Sequence, residues 1–309
     1  MLPIFLKTLP FFGIIALGYW AGRTRFFSEE ATAYLTKFVF YFALSAMLFQ
    51  FAASLSLTEI ISLPFVLAYL CASVLVYLIA TAVAFLRGRP MHEAAVEAQC
   101  AVVGNVGFLG VPMLVMLLGA AAAGPVLMVL SIDLIVFSSL ITILITISRQ
   151  GRGSWALLAN VGIGLLRNPM IVSIALGLIW SAYSLPVPAP AQEFLVLLGS
   201  AATPGALFAI GASLASKSAE RLAVAGWLSL CKLVLHPAAV AVAALAVFDV
   251  DPFAAGVMIA AASLPVAGNV YILAQHYGVA PQRVSAAILV STAASIVTVS
   301  LVIALISGI

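Results

Sequence analysis

Apolar residues run in long unbroken stretches along this chain, separated by short clusters of charge, proline and glycine. A hydrocarbon core of about 30 Å is crossed by about 20 apolar residues in a helix. Breaking the sequence at its punctuation gives ten stretches of that kind, near residues 3–22, 33–53, 60–86, 93–118, 124–147, 168–183, 192–214, 222–247, 252–276 and 282–307. A transmembrane β-barrel needs short segments that alternate apolar and polar residues, and these do not alternate. The pattern predicts an all-α polytopic membrane protein of ten transmembrane helices. The first stretch has no basic leading region and no Ala-x-Ala site, so it reads as span 1 and not as a removable signal.

Composition adds exclusions. Of 309 residues, 65% are hydrophobic and 7% charged, where a soluble domain carries about 25% charge. Ten spans consume about 210 positions, which leaves no room for an attached soluble catalytic or receptor domain. A net charge of +3 would hint at nucleic acid in a soluble protein; here it reports orientation, and no nucleic-acid partner is expected. Cys71, Cys100 and Cys231 all fall inside apolar runs, with neither disulfide nor metal-ligand spacing.

The bases follow odd-numbered spans: Arg23 and Arg25 after span 1, Arg87 and Arg89 after span 3, Arg149, Arg152 and Arg167 after span 5, Lys217 and Arg221 after span 7, Arg283 after span 9. Even loops carry Glu59, Glu193, Asp249 and Asp251 and no base. Positive residues stay on the cytoplasmic side, so both termini are expected outside the cytoplasmic membrane.

An internal repeat organises the spans. A shift of 159 residues lays Pro10 on Pro169, Ile15 to Gly18 on Ile174 to Gly177, Leu48-Phe49 on Leu207-Phe208 and Ala53 to Leu55 on Ala212 to Leu214. A shift of 160 matches Cys71 to Cys231, and one of 164 matches Gly104-Asn105-Val106 to Gly268-Asn269-Val270. Spans 5 and 10 show no convincing match. The chain divides into a first five-helix repeat, 1–147, a connection, 148–167, and a second, 168–309. Five is odd, so the second copy sits upside down. Inverted repeats mark secondary transporters, whose substrate site lies at the repeat interface.

Spans 4 and 9 carry the unusual chemistry. Span 4 reads Gly104-Asn105-Val106-Gly107-Phe108-Leu109-Gly110-Val111-Pro112, and span 9 reads Ser263-Leu264-Pro265-Val266-Ala267-Gly268-Asn269-Val270-Tyr271. Irregular backbone at membrane depth survives only where protein buries it or a cavity borders it. Half-helices that start after each Asn would present free N–H groups and a positive dipole end, which suits an anion such as a carboxylate. Asn105 and Asn269 add amide donors and an oxygen for a coupling ion; each can equally serve only as a helix cap. Phe108 and Tyr271 are candidates to flank the cargo or simply to pack. The expected substrate site is Asn105, Asn269, Gly104, Gly107, Pro265, Gly268 and Tyr271.

The stretches Asn105 to Pro112, Leu264 to Ala274 before Gln275-His276-Tyr277, and Ile288 to Thr292 together resemble the auxin efflux carrier family, over essentially the whole chain. The resemblance implies a fold similar to the plant PIN-FORMED carriers and the sodium/bile acid symporters (bile acid symporter/NhaA-like). Spans 1, 2, 6 and 7 would form a scaffold, and spans 3–5 and 8–10 a mobile transport unit in which helices 4 and 9 cross. Elevator-like alternating access is implied. The connection Arg149 to Arg167 is short where plant carriers have a long hydrophilic loop, which resembles compact prokaryotic members described as permeases for malonate, malate or related acids. Auxin is therefore not the expected cargo.

Asp133 in span 5 and Lys232 and His236 in span 8 lie well inside the hydrocarbon, where ionisable groups are costly and are functional candidates by default. Lys232 and His236 share one helix face. Proton exchange and a static buried pair between Asp133 and Lys232 both remain open. Glu93 and Glu97 at the start of span 4 read as first-turn acids that complement the helix dipole. The segment Gly153 to Leu166 fits either an interfacial helix or a linker. The expected function is secondary active transport of small organic anions, with the lipid bilayer and a homodimer through the scaffold helices as partners. No cofactor and no metal is expected beyond coupling to H+ or Na+. A passive anion channel or facilitator is the alternative, although no rings of like charge are visible, and a membrane-embedded enzyme comes third, for want of a catalytic constellation.

Overall fold

A computed structural model describes residues 2–55, 62–150, 155–215 and 222–306. The loop charges Glu59, Arg152, Lys217 and Arg221, with Gly153, lie outside the described residues. Among the described residues there are thirteen helices and no strand: α1 (Leu2–Arg23), α2 (Glu29–Ala53), α3 (Leu63–Leu86), α4 (Met91–Val102), α5 (Val106–Leu118), α6 (Ala120–Arg149), α7 (Trp155–Leu166), α8 (Pro169–Ala182), α9 (Ala189–Leu214), α10 (Leu222–Val247), α11 (Pro252–Ala262), α12 (Gly268–His276) and α13 (Pro281–Ile306). Six of them, α2, α3, α6, α9, α10 and α13, are long and apolar enough to cross a bilayer unaided. The protein is an all-helical, multi-pass membrane protein. Predicted spans 4 and 9 appear as the broken pairs α4–α5 and α11–α12, with the helix lost at 103–105 and 263–267.

Local chemistry explains several helix ends. Helix α2 starts four residues before the predicted span because the Ser28 hydroxyl accepts from the Ala31 N–H at 3.1 Å and Glu29 and Glu30 fill its first turn, both favourable at a helix N-terminus. Asn168 and Asp251 cap α8 and α11 in the same way, each followed by a proline. The segment left open as helix or linker is the helix α7, bent by 67° from α8. Five π-helical turns interrupt the longer elements, at Val39–Ala43, Val106–Gly110, Asp133–Phe137, Cys231–Leu235 and Ala243–Val247. Such turns concentrate at functional sites, and three of the five contain Asp133, Lys232 or the start of α5.

Lipid offers no hydrophobic force between helices, so close backbone approach through small residues carries the packing. Helices α1 and α9 illustrate it: a Cβ built on Gly18 would fall 2.1 Å from the Phe208 carbonyl oxygen, and one on Gly211 would fall 1.9 Å from that of Ile15. Helices α8 and α2 repeat the arrangement: a Cβ on Gly177 would fall 2.7 Å from the Phe49 oxygen and 3.0 Å from the Ala53 nitrogen. A Cβ on Gly18 would meet the Phe208 oxygen and the Ala212 nitrogen, the latter at 3.0 Å. The two contacts are therefore related residue by residue through the shift of 159 read from the sequence.

Glu93 and Glu97 do more than complement a dipole. Glu97, 1% exposed, pairs with Arg87 and accepts from Arg283 at 2.6 Å. Glu93 accepts from Arg283 at 2.5 Å and lies 3.8 Å from Arg89. A four-residue dipole argument misses this because the partner arginines come from the end of α3 and from α13, 10 and 186 positions away from Glu97. The cluster ties the first turns of α4 to α13.

Candidate functional site

The two helix breaks meet. Asn105 donates its backbone N–H to the Pro265 oxygen at 2.8 Å, and Ala267 donates to the Val103 oxygen at 3.1 Å, an antiparallel bridge centred on Gly104 and Val266. The unwound strands thus satisfy each other, as irregular backbone in lipid must. The Val266 N–H is taken by the Ser291 hydroxyl of α13 at 3.1 Å.

A cavity of about 560 Å³ opens against one face of this crossover. Asn105, Phe108, Gly268, Asn269 and Tyr271 border it, joined by Gln275 of α12 and Thr292 of α13. Another wall is α2, through Glu29, Thr32, Ala33, Thr36 and Lys37, with Ser213 from α9. A second hollow of about 390 Å³ shares Glu29, Thr32 and Ala212 with it and brings in Arg23 and Arg25, so two arginines and one glutamate border the adjoining space.

The two half-helix starts are not equivalent. Gly268 opens α12: the Val270 N–H turns back to the Ala267 oxygen at 3.2 Å, the N–H groups of Gly268 and Asn269 precede the first intrahelical acceptor, and a Cβ placed on Gly268 would meet nothing within 4 Å. The space in front of this positive helix end is free. The Asn269 Oδ1 is buried without a hydrogen-bond partner. At the start of α5 the backbone is occupied by the bridge to Pro265, and a Cβ on Gly107 would fall 2.4 Å from the Met170 methyl. Asn105 borders the cavity, while Gly104, Gly107 and Pro265 are not among its lining residues. Phe108 stacks on Phe40 of α2, ring centroids 6.1 Å apart and planes 14° apart.

Asp133, Lys232 and His236 sit on the far side of the break, all fully or nearly fully buried. The Tyr69 hydroxyl donates to Asp133 Oδ1 at 2.9 Å, and Asp133 Oδ2 has no hydrogen-bond partner. Lys232 Nζ donates to the Ala262 carbonyl at the end of α11 and lies 3.1 Å from His236 Nδ1. His236 Nε2 bonds the Ser73 hydroxyl at 2.9 Å. Asp133 and Lys232 form no ion pair within 4 Å among the described residues. They flank Gly104 instead, whose Cβ position is 3.1 Å from Lys232 Cε. The Lys232 Nζ thus caps the carbonyl end of α11, while α12 offers its positive end to the cavity.

Sequence reasoning overlooked the α2 wall. Its signal was available: Glu29, Thr32, Ala33, Thr36 and Lys37 stand at i, i+3, i+4, i+7 and i+8, a small and polar stripe on one helix face leading into an apolar span.

The family described as "Membrane transport protein" matches residues 3–303 of the chain. A protein of Rhizobium meliloti (strain 1021) named "Putative malonate transporter" is 33% identical over 298 residues, covering 94% of this chain and 92% of its own. A cavity set against two broken helices and a match running almost end to end place the chain in the Membrane transport protein family, that of the auxin efflux carriers, as a transporter and not an enzyme.

Proposed function

We propose that the protein is a secondary active transporter of small carboxylates that works by elevator-like alternating access. The observation that carries this reading is the cavity at the crossover, where the open start of α12 and the side chains of Asn105 and Asn269 face one space. A helix N-terminus with free N–H groups favours an anion, and the arginines of the adjoining hollow raise the local concentration of anions. The name of the Rhizobium relative makes malonate the first acid to test.

The proposed architecture is ten transmembrane helices in two inverted five-helix repeats, 1–147 and 168–309. It counts α1 as span 1, α8 as span 6 and each broken pair as one span. Support comes from the glycine contacts of α1 with α9 and of α8 with α2, which recur at the repeat shift. These four helices are the scaffold in this reading, and the ion cluster that joins α4 to α13 holds part of the mobile unit together. Because Arg23 and Arg25 border the approach, the positive-inside rule makes this an inward-open state with both termini outside. The backbone bridge between the breaks favours alternating access over an open pore. Asp133 with Tyr69, and Lys232 with His236, are the proposed proton-handling groups.

The test is binding to purified protein. Losing a hydrogen bond to a charged group costs about 1.5–3 kcal/mol, or about ten- to a hundredfold in affinity. Asn269→Ala is expected to lose that much malonate affinity while inserting and melting normally, with a smaller loss for Asn105→Ala. Unchanged affinity in both variants refutes the central anion site.

A further inference from the structure

We propose that Lys37 is the residue that makes this site discriminate by substrate charge, anchoring a second carboxylate across the cavity from the start of α12. The inference rests on the carboxylate reading above and deepens it. Lys37 is the one lysine or arginine among the residues bordering the crossover cavity. It belongs to α2, whereas Asn105 lies in the break before α5 and Gly268 and Asn269 open α12, so the cationic group and the helix end reach the space from different elements.

Its placement on α2 follows from neighbours. Phe40, three residues on, stacks on Phe108 at the beginning of α5. Residues three and four apart share a helix face, so Thr36, Lys37 and Phe40 look towards the crossover together, with Lys37 one turn nearer the cavity mouth. No carboxylate lies within 4 Å of Lys37 among the described residues. Glu29, the acid on the same wall, is eight positions away, about 12 Å along the helix. What holds the ammonium is the Tyr34 ring, 5.5 Å from its centroid, a contact that leaves the charge uncompensated and the hydrogens of the ammonium free to donate.

A single carboxylate is served by the α12 start and the two asparagines. A second carboxylate on the same molecule would find in that half of the site only neutral donors already engaged, and carrying it desolvated without a countercharge is costly. Lysine suits the second position because its compact charge on a flexible stem follows a carboxylate without demanding one geometry. A monocarboxylate leaves Lys37 idle, so its affinity is independent of that residue. A dicarboxylate spans from α12 to α2 and gains from both. The consequence is a preference set by one side chain outside the crossover.

Binding of malonate and of acetate to the full chain in nanodiscs, for wild type, Lys37→Gln, Lys37→Arg, Asn269→Ala and Asn105→Ala, tests this. Lys37→Gln is expected to lose about ten- to a hundredfold in malonate affinity with acetate unchanged, and Lys37→Arg to keep the preference for malonate. Melting of the unliganded variants should match wild type, since the Lys37 side chain is exposed. If Lys37→Gln keeps the wild-type ratio of malonate to acetate affinity, whether by losing neither or by losing both equally, the proposal is overturned and the carboxylate site stands. If Asn269→Ala and Asn105→Ala both leave the two acids bound as tightly as wild type, or wild type binds neither, the underlying reading fails and takes the proposal with it.

Discussion

The closest test of the packing is a set of glycine-to-alanine substitutions with opposite expected signs. In a helix interior, Gly→Ala by itself stabilises by about 0.5–1 kcal/mol. At Gly211 the new methyl would lie 1.9 Å from the Ile15 oxygen, against the 3.4 Å at which ordinary contact begins, so α1 and α9 must part by about 1.5 Å. A radial gap of about 0.5–1 Å already forfeits a quarter to a half of each dispersion contact, and overpacking of a well-packed core costs about 1–3 kcal/mol. Gly211→Ala and Gly18→Ala should therefore each be destabilising by about 1–3 kcal/mol, with Gly177→Ala milder because its nearest atom, the Ala52 methyl, is 2.6 Å away. Gly13 and Gly226 have nothing within 4 Å of a built Cβ, so alanine there should be neutral or mildly stabilising. The Gly18→Ala/Gly211→Ala double variant should cost less than the sum, since both methyls are relieved by one separation of the same helix pair. Thermal unfolding in detergent reads these as shifts of about 2–4 °C per kcal/mol. Equal melting temperatures for Gly211→Ala and Gly13→Ala would refute the account of the scaffold as a backbone-to-backbone contact.

Three further outcomes are expected. Asp133→Asn and Lys232→Ala should each slow uptake and flatten its dependence on the pH gradient in proteoliposomes; normal rates with the wild-type dependence would remove both from proton handling. Glu97→Gln leaves Arg87 and Arg283 against a neutral amide, and breaking a buried pair costs about 3–5 kcal/mol, so its melting temperature should fall well below that of wild type; a variant as stable as wild type would show that the cluster is not a clamp. A Thr36→Cys variant, in a background with Cys71, Cys100 and Cys231 replaced by Ser, should react with a membrane-impermeant maleimide in inside-out vesicles and not in right-side-out ones; the reverse pattern would overturn the inward-open assignment.

Much of this protein is written along the chain. Length and continuity of the apolar runs set its class, because a bilayer demands about 20 apolar residues per crossing and forbids unpaired backbone. The breaks in spans 4 and 9 were legible for the same reason, since three glycines or a proline beside an Asn at mid-depth have no regular helical explanation. The shift of 159 that lays Gly18 on Gly177 is also read along the chain, and both glycines let a carbonyl from another helix come closer than any side chain would permit.

What only the tertiary structure decided is which side of each element faces what. Periodicity does not say that the start of α12 opens onto a cavity while Gly107 of α5 is packed against Met170, nor that Lys37 of α2 borders the same cavity as Asn269. The Glu93–Glu97–Arg283 cluster depends on groups far apart in sequence, and a buried carboxylate chooses among partners by distance alone. Asp133 and Lys232, whose pairing the sequence left open, form no ion pair within 4 Å among the described residues; one is bound to Tyr69 and the other to the end of α11. Local rules determine where a helix starts, stops and breaks; the burial of its faces is settled only when the other helices arrive.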